Sequence, residues 1–243
     1  MNNNKSLNEQ LPAAILFDMD DTIIDTYSAS VMAWKAAAEI IASKHNRNAQ
    51  ETFNACWRAD RQFFEDPEKE DWGRLNQVEA REYVVRQALD QLGWNDVEVS
   101  NWIGSFVIQK RVSLLEPFPN AISTLIELRK RGIVLALVTN GEATQQRAKI
   151  NKNNITTYFD TILIEGEFGI GKPSAKVFKH VLETIGETAE DCWMVGDDLS
   201  KDIAGGHKSG LKTIWVDARK TGLPKHINIK PDKIINSISE IIA

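Results

Sequence analysis

Short apolar runs separated by longer amphipathic stretches set the rhythm of the chain. The runs fall at 15–17 (ILF), 133–138 (IVLALV), 161–164 (TILI), 193–195 (WMV) and 213–216 (TIWV). Each has the length of a strand and is continuous rather than alternating, the pattern of parallel strands covered on both faces. Helical spacing fills intervals near 120–131, 142–153, 174–185 and 199–209. Strand and helix in alternation predict an α/β fold built on a parallel sheet.

The rhythm breaks once. From residue 28 to about 116 the sequence predicts four helices, near 28–45, 49–65, 75–92 and 97–114, and no strand. Trp34, Ala37, Ala38 and Ile41 have helical spacing, and five of the seven tryptophans (Trp34, Trp57, Trp72, Trp94 and Trp102) fall in this segment, where their simplest role is its own core. The expectation is a helical domain over 27–115 inserted into an α/β core made of 11–26 and 116–243. The stretch EPFPN at 116–120 reads as the stiff return linker. The run WRADRQFFEDPEKEDW at 57–72 reads as a solvated helix end, with pocket lining as the alternative.

Composition narrows the picture by exclusion. Of 243 residues, 42% are hydrophobic and 26% charged, the ordinary balance of a globular protein. A net charge of −5 offers no basic footprint for a nucleic-acid backbone. Cys56 and Cys192 are far apart and outside any CxxC pair, which predicts a reducing, cytoplasmic setting and no disulfide. Residues 1–10 are polar and read as a frayed terminus, and no apolar stretch approaches the roughly 20 residues of a membrane span.

The unusual chemistry stands where the apolar runs stop. After ILF come Asp18, Asp20, Asp21 and Asp25; after LALV come Thr139, Asn140 and Gly141; after WMV come Gly196, Asp197 and Asp198, with Asp202 further on. Lys172 lies in the loop GIGKP at 169–173. Open parallel sheets bind ligands outside the carboxyl ends of their strands. Carboxylates converging from separate loops suit a hard cation such as Mg²⁺, and a hydroxyl, backbone amides and an ammonium suit a phosphoryl group. Asp21 and Asp25 read more simply as turn residues, and Asp198 also as a cap of the helix that follows it.

With these residues in this order, the chain resembles the haloacid dehalogenase superfamily, in its phosphatase branch with a helical cap inserted after the first strand. The matching motifs are DMDDT from Asp18, VTNG around Thr139, GKP at Lys172 and VGDDLSKDIAGG at 195–206. Among the phosphatases, DMDDTII and VTNG are most similar to the N-acylneuraminate-9-phosphatase and pyrimidine 5′-nucleotidase groups. The resemblance implies a Rossmann-like core and a Mg²⁺-dependent phosphomonoester hydrolase acting on a small phosphorylated metabolite, a sugar phosphate or nucleoside monophosphate. It implies Asp18 as nucleophile and Asp20 as general acid and base. It implies Mg²⁺ held by Asp18, the Asp20 carbonyl and Asp197, supported by Asp198 or Asp202. Thr139, the amides of Asn140 and Gly141, and Lys172 would hold the phosphoryl oxygens. An intramolecular phosphomutase shares the DxD pair and stays open. Asp20 argues against a dehalogenase, and the inserted helices argue against a phosphoacceptor receiver domain.

Overall fold

The computed structural model describes residues 11–94, 96–225 and 228–242, so the segment expected to fray, 1–10, lies outside the described residues. In chain order the elements are β1 (Ala14–Phe17), α1 (Thr26–His45), α2 (Ala49–Glu65), α3 (Pro67–Gly73), α4 (Gln77–Gln91), α5 (Val97–Leu114), α6 (Ala121–Lys130), β2 (Val134–Thr139), α7 (Ala143–Lys152), β3 (Thr161–Ile164), α8 (Glu165–Phe168), α9 (Ala175–Ile185), β4 (Cys192–Gly196), α10 (Ala204–Lys208), β5 (Lys212–Val216) and β6 (Lys233–Ile235). A π-helical turn, Leu199–Ile203, leads into α10.

All six strands are parallel, in the spatial order β3-β2-β1-β4-β5-β6. This is the Rossmann-like α/β arrangement, with the strand order reversing beside β1. Every residue of β1 is buried. Ile15 and Phe17 join Leu125 and Leu128 of α6 on one face, while Ala14 and Leu16 meet Phe178 and Val181 of α9 on the other. Two apolar faces explain why the strand reads as an unbroken run. The register sets Phe17 opposite Leu137 on one side and Val195 on the other. The residues that follow these three strands therefore emerge together at one edge of the sheet.

Helices α1–α5 enclose a hydrophobic cluster of their own, built on Trp34, Ile41, Phe63, Val85, Leu89, Ile103 and Val107. The chain leaves and returns along adjacent paths: the Asp25 amide donates to the Glu116 carbonyl at 3.0 Å and the Phe118 amide to that of Ile23 at 2.9 Å. Asp25 caps α1 by accepting from the Ser28 amide, and Asp21 takes a left-handed turn (φ 56°) while accepting from the Tyr27 amide. Both are thus turn and cap residues.

Several expectations need correction. Helix α3 was not predicted, although Asp66 and Pro67 form a standard start, because its seven residues carry too little apolar periodicity. Strand β6 is three residues long at the sheet edge, with only Ile235 buried, and leaves no apolar run. Trp34 is buried and Trp57 and Trp94 pack against the helical cluster, whereas Trp72 and Trp102 are 47% and 40% exposed. The helix expected over 199–209 divides at Ala204, where Gly205 and Gly206 approach Phe178 and Met194 too closely to admit side chains. Among the described residues no helix is long and apolar enough to cross a membrane.

Candidate active site

The carboxyl ends of β1, β2 and β4 open into one cavity of about 630 Å³. Its floor is a compact charge cluster. The Asp18 amide donates to the Val195 carbonyl at 2.9 Å, which extends β1 by one bond and fixes the aspartate at the sheet edge. Asp18 Oδ1 lies 2.6 Å from Lys172 Nζ, and Oδ2 accepts from the Thr22 hydroxyl at 3.2 Å. Lys172 Nζ also pairs with Asp202 Oδ1 at 2.7 Å and donates to the Val138 carbonyl at 2.6 Å. The buried ammonium thus donates to Asp18 and Val138 and is paired electrostatically with Asp202.

Lys172 is delivered by a stapled loop. Asn140 Nδ2 donates to the Lys172 carbonyl at 2.7 Å, and the Lys172 amide donates to Asn140 Oδ1 at 2.8 Å. Asp202 approaches the floor because position 196 is glycine: a Cβ there would fall 2.2 Å from Asp202 Oδ2. That oxygen accepts from the Asp198 amide at 3.0 Å.

The carboxylates of Asp18, Asp197 and Asp202 each offer an oxygen, and these oxygens lie within 4.8 Å of one another. Their proximity is electrostatically costly. Burial, with the charges of Asp202 and Asp20, pushes Asp18 up to about 7 against the pull of Lys172. Burial and the neighbouring Asp18, Asp202, Asp21 and Asp198 push Asp197 well above the ordinary carboxylate range. Lys172 is held above its ordinary value: burial acts to discharge it, and Asp18 and Asp202 more than offset burial. One ammonium among three carboxylates leaves negative charge over, and an all-oxygen set at this spacing fits Mg²⁺.

Asp20 is differently placed. Lys149 Nζ sits 2.9 and 2.7 Å from its two oxygens, and Gln146 Nε2 donates to Oδ2 at 3.1 Å. Burial acts to raise its pKa, but Lys149 and Gln146 prevail and hold it below the ordinary value, as a carboxylate. Its side chain therefore stands apart from the three-carboxylate group, where Asp202 takes the place expected for a supporting residue. Asp198 is committed to capping, its Oδ1 accepting from the Ser200 and Lys201 amides at 2.8 and 2.9 Å.

Of the phosphoryl-binding set, Thr139 is buried and its hydroxyl oxygen accepts from Gln146 Nε2 at 2.5 Å. The Gly141 amide has a different partner from the one expected, donating to Glu165 Oε2 at 2.9 Å. Glu165 is buried and paired with Arg74 of the helical segment at 2.8 and 2.6 Å, and the Gly141 amide adds a third donor to this buried carboxylate. A second tie joins the two regions, Lys201 to Glu70 at 2.7 Å. Glu70 and Phe64 line the cavity, so the 57–72 run supplies wall as well as surface.

Sequence reasoning missed Gln146, Lys149, Glu165 and the arginines Arg74, Arg81 and Arg111, which line or adjoin the cavity. A signal existed for two of them. Gln146, Lys149 and Ile150 are the buried residues of α7 and share an i, i+3, i+4 face, so two polar residues occupy the inward stripe of the helix that follows VTNG.

The sequence comparisons place this geometry in a known family. The chain belongs to the haloacid dehalogenase-like hydrolase family, whose model matches residues 12–210. Within that family it lies among phosphatases. It is 35% identical over 162 residues to the phosphoserine phosphatase of Thermus thermophilus, covering 66% of this chain and 63% of that protein. It is 28% identical over 243 residues to the N-acylneuraminate-9-phosphatase of Rattus norvegicus, covering 95% and 92%. The magnesium-bound HAD-hydrolase YfnB from Bacillus subtilis superposes with a TM-score of 0.75 at 21% identity, covering 96% of this chain and 97% of that one. An L-2-haloacid dehalogenase from Xanthobacter autotrophicus superposes with a TM-score of 0.66 at 18% identity, covering 95% and 97%. At such identities these two structures share the fold alone.

Proposed function

We propose that the protein is a Mg²⁺-dependent phosphomonoester hydrolase that acts on a small phosphorylated metabolite through an aspartyl-phosphate on Asp18. The observation that carries this reading is the floor itself: Asp18 ends the central strand, with Lys172 at 2.6 Å and the Asp197 and Asp202 carboxylates beside it. Mg²⁺ held by Asp18, Asp197 and Asp202 would neutralise charge, so that an anionic carboxylate and an anionic phosphate can meet. The phosphatase relatives support the same chemistry.

In the first half-reaction an Asp18 oxygen attacks phosphorus, the ester P–O bond breaks, and the departing alkoxide takes a proton from Asp20. In the second, water attacks the same phosphorus while Asp20 takes the water proton; inorganic phosphate leaves and the Asp18 carboxylate returns. Thr139 and Lys172 hold the phosphoryl oxygens. Lys149 favours the base form of Asp20, so the acid role requires substrate entry to draw Lys149 away. Residues 27–115 act as a cap that closes over substrate, with Arg74–Glu165 and Lys201–Glu70 as the contacts of the closed form. Cys56 and Cys192 are buried and unpaired, which suits a cytoplasmic setting.

The test is turnover of a panel of phosphomonoesters in Mg²⁺, its loss on chelation and its return when Mg²⁺ is restored. Full activity after exhaustive chelation would refute the reading.

A further inference from the structure

The roof of the cavity contains more buried positive charge than acid to match it. Arg81 of α4 and Arg111 of α5 both line the cavity, and each is only 8% exposed. Arg111 Nη2 donates to Gln77 Oε1, a neutral partner, and Arg111 Nε has no acceptor. Arg81 Nη1 has none either, and its Nε lies 3.1 Å from Asp60 Oδ1 but out of line for a hydrogen bond. The Phe64 ring lies 4.2 Å from the Arg81 guanidinium carbon and steadies it from one side.

Nearby acids do not supply the missing partner. Asp20 is paired with Lys149, and Asp21 with Arg219 at 3.3 Å. Arg74, the third roof arginine, is saturated by Glu165, Asp71 and Glu70. Two guanidinium groups against the single acid Asp60 leave one positive charge over. Buried donors left without acceptors are costly, and at the wall of a cavity a ligand that supplies acceptors relieves that cost.

We infer that Arg81 and Arg111 form a subsite for a carboxylate carried by the phosphomonoester at a distance from its phosphate. The inference rests on the phosphatase reading and adds the substrate class to it. A carboxylate matches the surplus of one charge, whereas a second phosphate dianion would exceed it. Its planar pair of oxygens also matches the donor fork of a guanidinium.

The test uses pairs that differ only in this group: 3-phosphoglycerate against glycerol 3-phosphate, and 6-phosphogluconate against sorbitol 6-phosphate. Binding is measured by calorimetry with Mg²⁺ on the full chain carrying Asp18→Asn, and kcat/KM on the wild-type chain. At least one acid should be preferred over its alcohol by about 10- to 100-fold, the ratio that a charge-assisted hydrogen-bonded pair supports. Arg111→Met should bring that ratio close to one through KM, and Arg111→Lys, which keeps charge and loses the fork, should retain part of it. Equal binding of acid and alcohol in both pairs overturns the inference while leaving the phosphatase reading standing. So does an Arg111→Met variant that lowers kcat equally on both members and leaves the ratio unchanged, since Arg111 would then act through Asp20. Should Arg111→Met fail to melt cooperatively, the wild-type ratios and Arg81→Met decide. Preferential binding of the acid with no turnover of any phosphomonoester would instead sink the phosphatase reading and keep the carboxylate subsite.

Discussion

On the floor of the cavity each buried cation faces acids: Lys172 meets Asp18 and Asp202, and Lys149 meets Asp20. On the roof, Arg111 faces an amide and Arg81 a poorly aligned carboxylate. The floor is tied to strand ends and to a loop stapled by Asn140, so its geometry follows from the sheet. The roof stands on helices that pack on their own cluster and can vary without disturbing the sheet. The contrast separates the two tasks of the molecule. On the function proposed above, the floor would carry the reaction and the roof would meet the part of the substrate that does not react.

The largest effect should come from Asp18→Asn, which removes the proposed nucleophile at the centre of the floor. Turnover should fall on the order of 10⁴-fold or more, with a cooperative thermal transition retained. Wild-type-like turnover in the folded variant would show that the floor is not the reacting centre. Next is Lys172→Met. It leaves Asp18 and Asp202 buried without their ammonium, and breaking such a pair from one side costs about 3–5 kcal/mol, measurable by chemical denaturation. A change below about 1 kcal/mol would mean that the floor pairs are not coupled as the distances imply.

Gly196→Ala sharpens the account of how Asp202 reaches the floor. Its Cβ would fall 2.2 Å from Asp202 Oδ2, so the carboxylate must shift. The expected result is about 1–3 kcal/mol of destabilisation, together with a drop of about 10-fold or more in Mg²⁺ affinity by titration calorimetry. The smallest effect should come from the roof. Without substrate, Arg111→Met removes a buried charge that forms no direct ion pair and feels Asp20, Asp60 and Asp21 only at a distance, and its stability should lie within about 1 kcal/mol of wild type or above it. A loss as large as that of Lys172→Met would erase the distinction between floor and roof.

The floor was far more legible in the sequence than the roof, and the reason is physical. Buried parallel strands leave continuous apolar runs, so the positions just after them can be read directly, and Asp18, Thr139 and Asp197 were found that way. Lys172 required its motif, because nothing local to GIGKP announces an ammonium directed 2.6 Å from a carboxylate on another strand. The sequence places Asp202 only as an alternative to Asp198 in support of the metal, because spacing does not show that a glycine at 196 lets its carboxylate reach the floor. The roof arginines occupy amphipathic helices in which a charged residue ordinarily marks the solvated face. Arg81 and Arg111 fall on the apolar stripes of α4 and α5, three and four residues from Val84 and Val85 and from Ile108 and Val107, and the exposed Arg86 lies off that stripe, but the spacing does not show that the stripes border a cavity. Lys149 is a similar inward-facing cation on α7, where the i, i+3, i+4 face it shares with Gln146 and Ile150 was the available signal.

The most direct test of the central claim is to trap the phosphoryl group on the chain. Enzyme turning over a phosphomonoester with Mg²⁺ is quenched in acid, digested and mapped by mass spectrometry. Phosphorylation is expected on the peptide that contains Asp18, confined to that residue, sensitive to borohydride reduction and absent from Asp18→Asn. Phosphate on any other residue, or steady turnover by the Asp18→Asn variant, would contradict it.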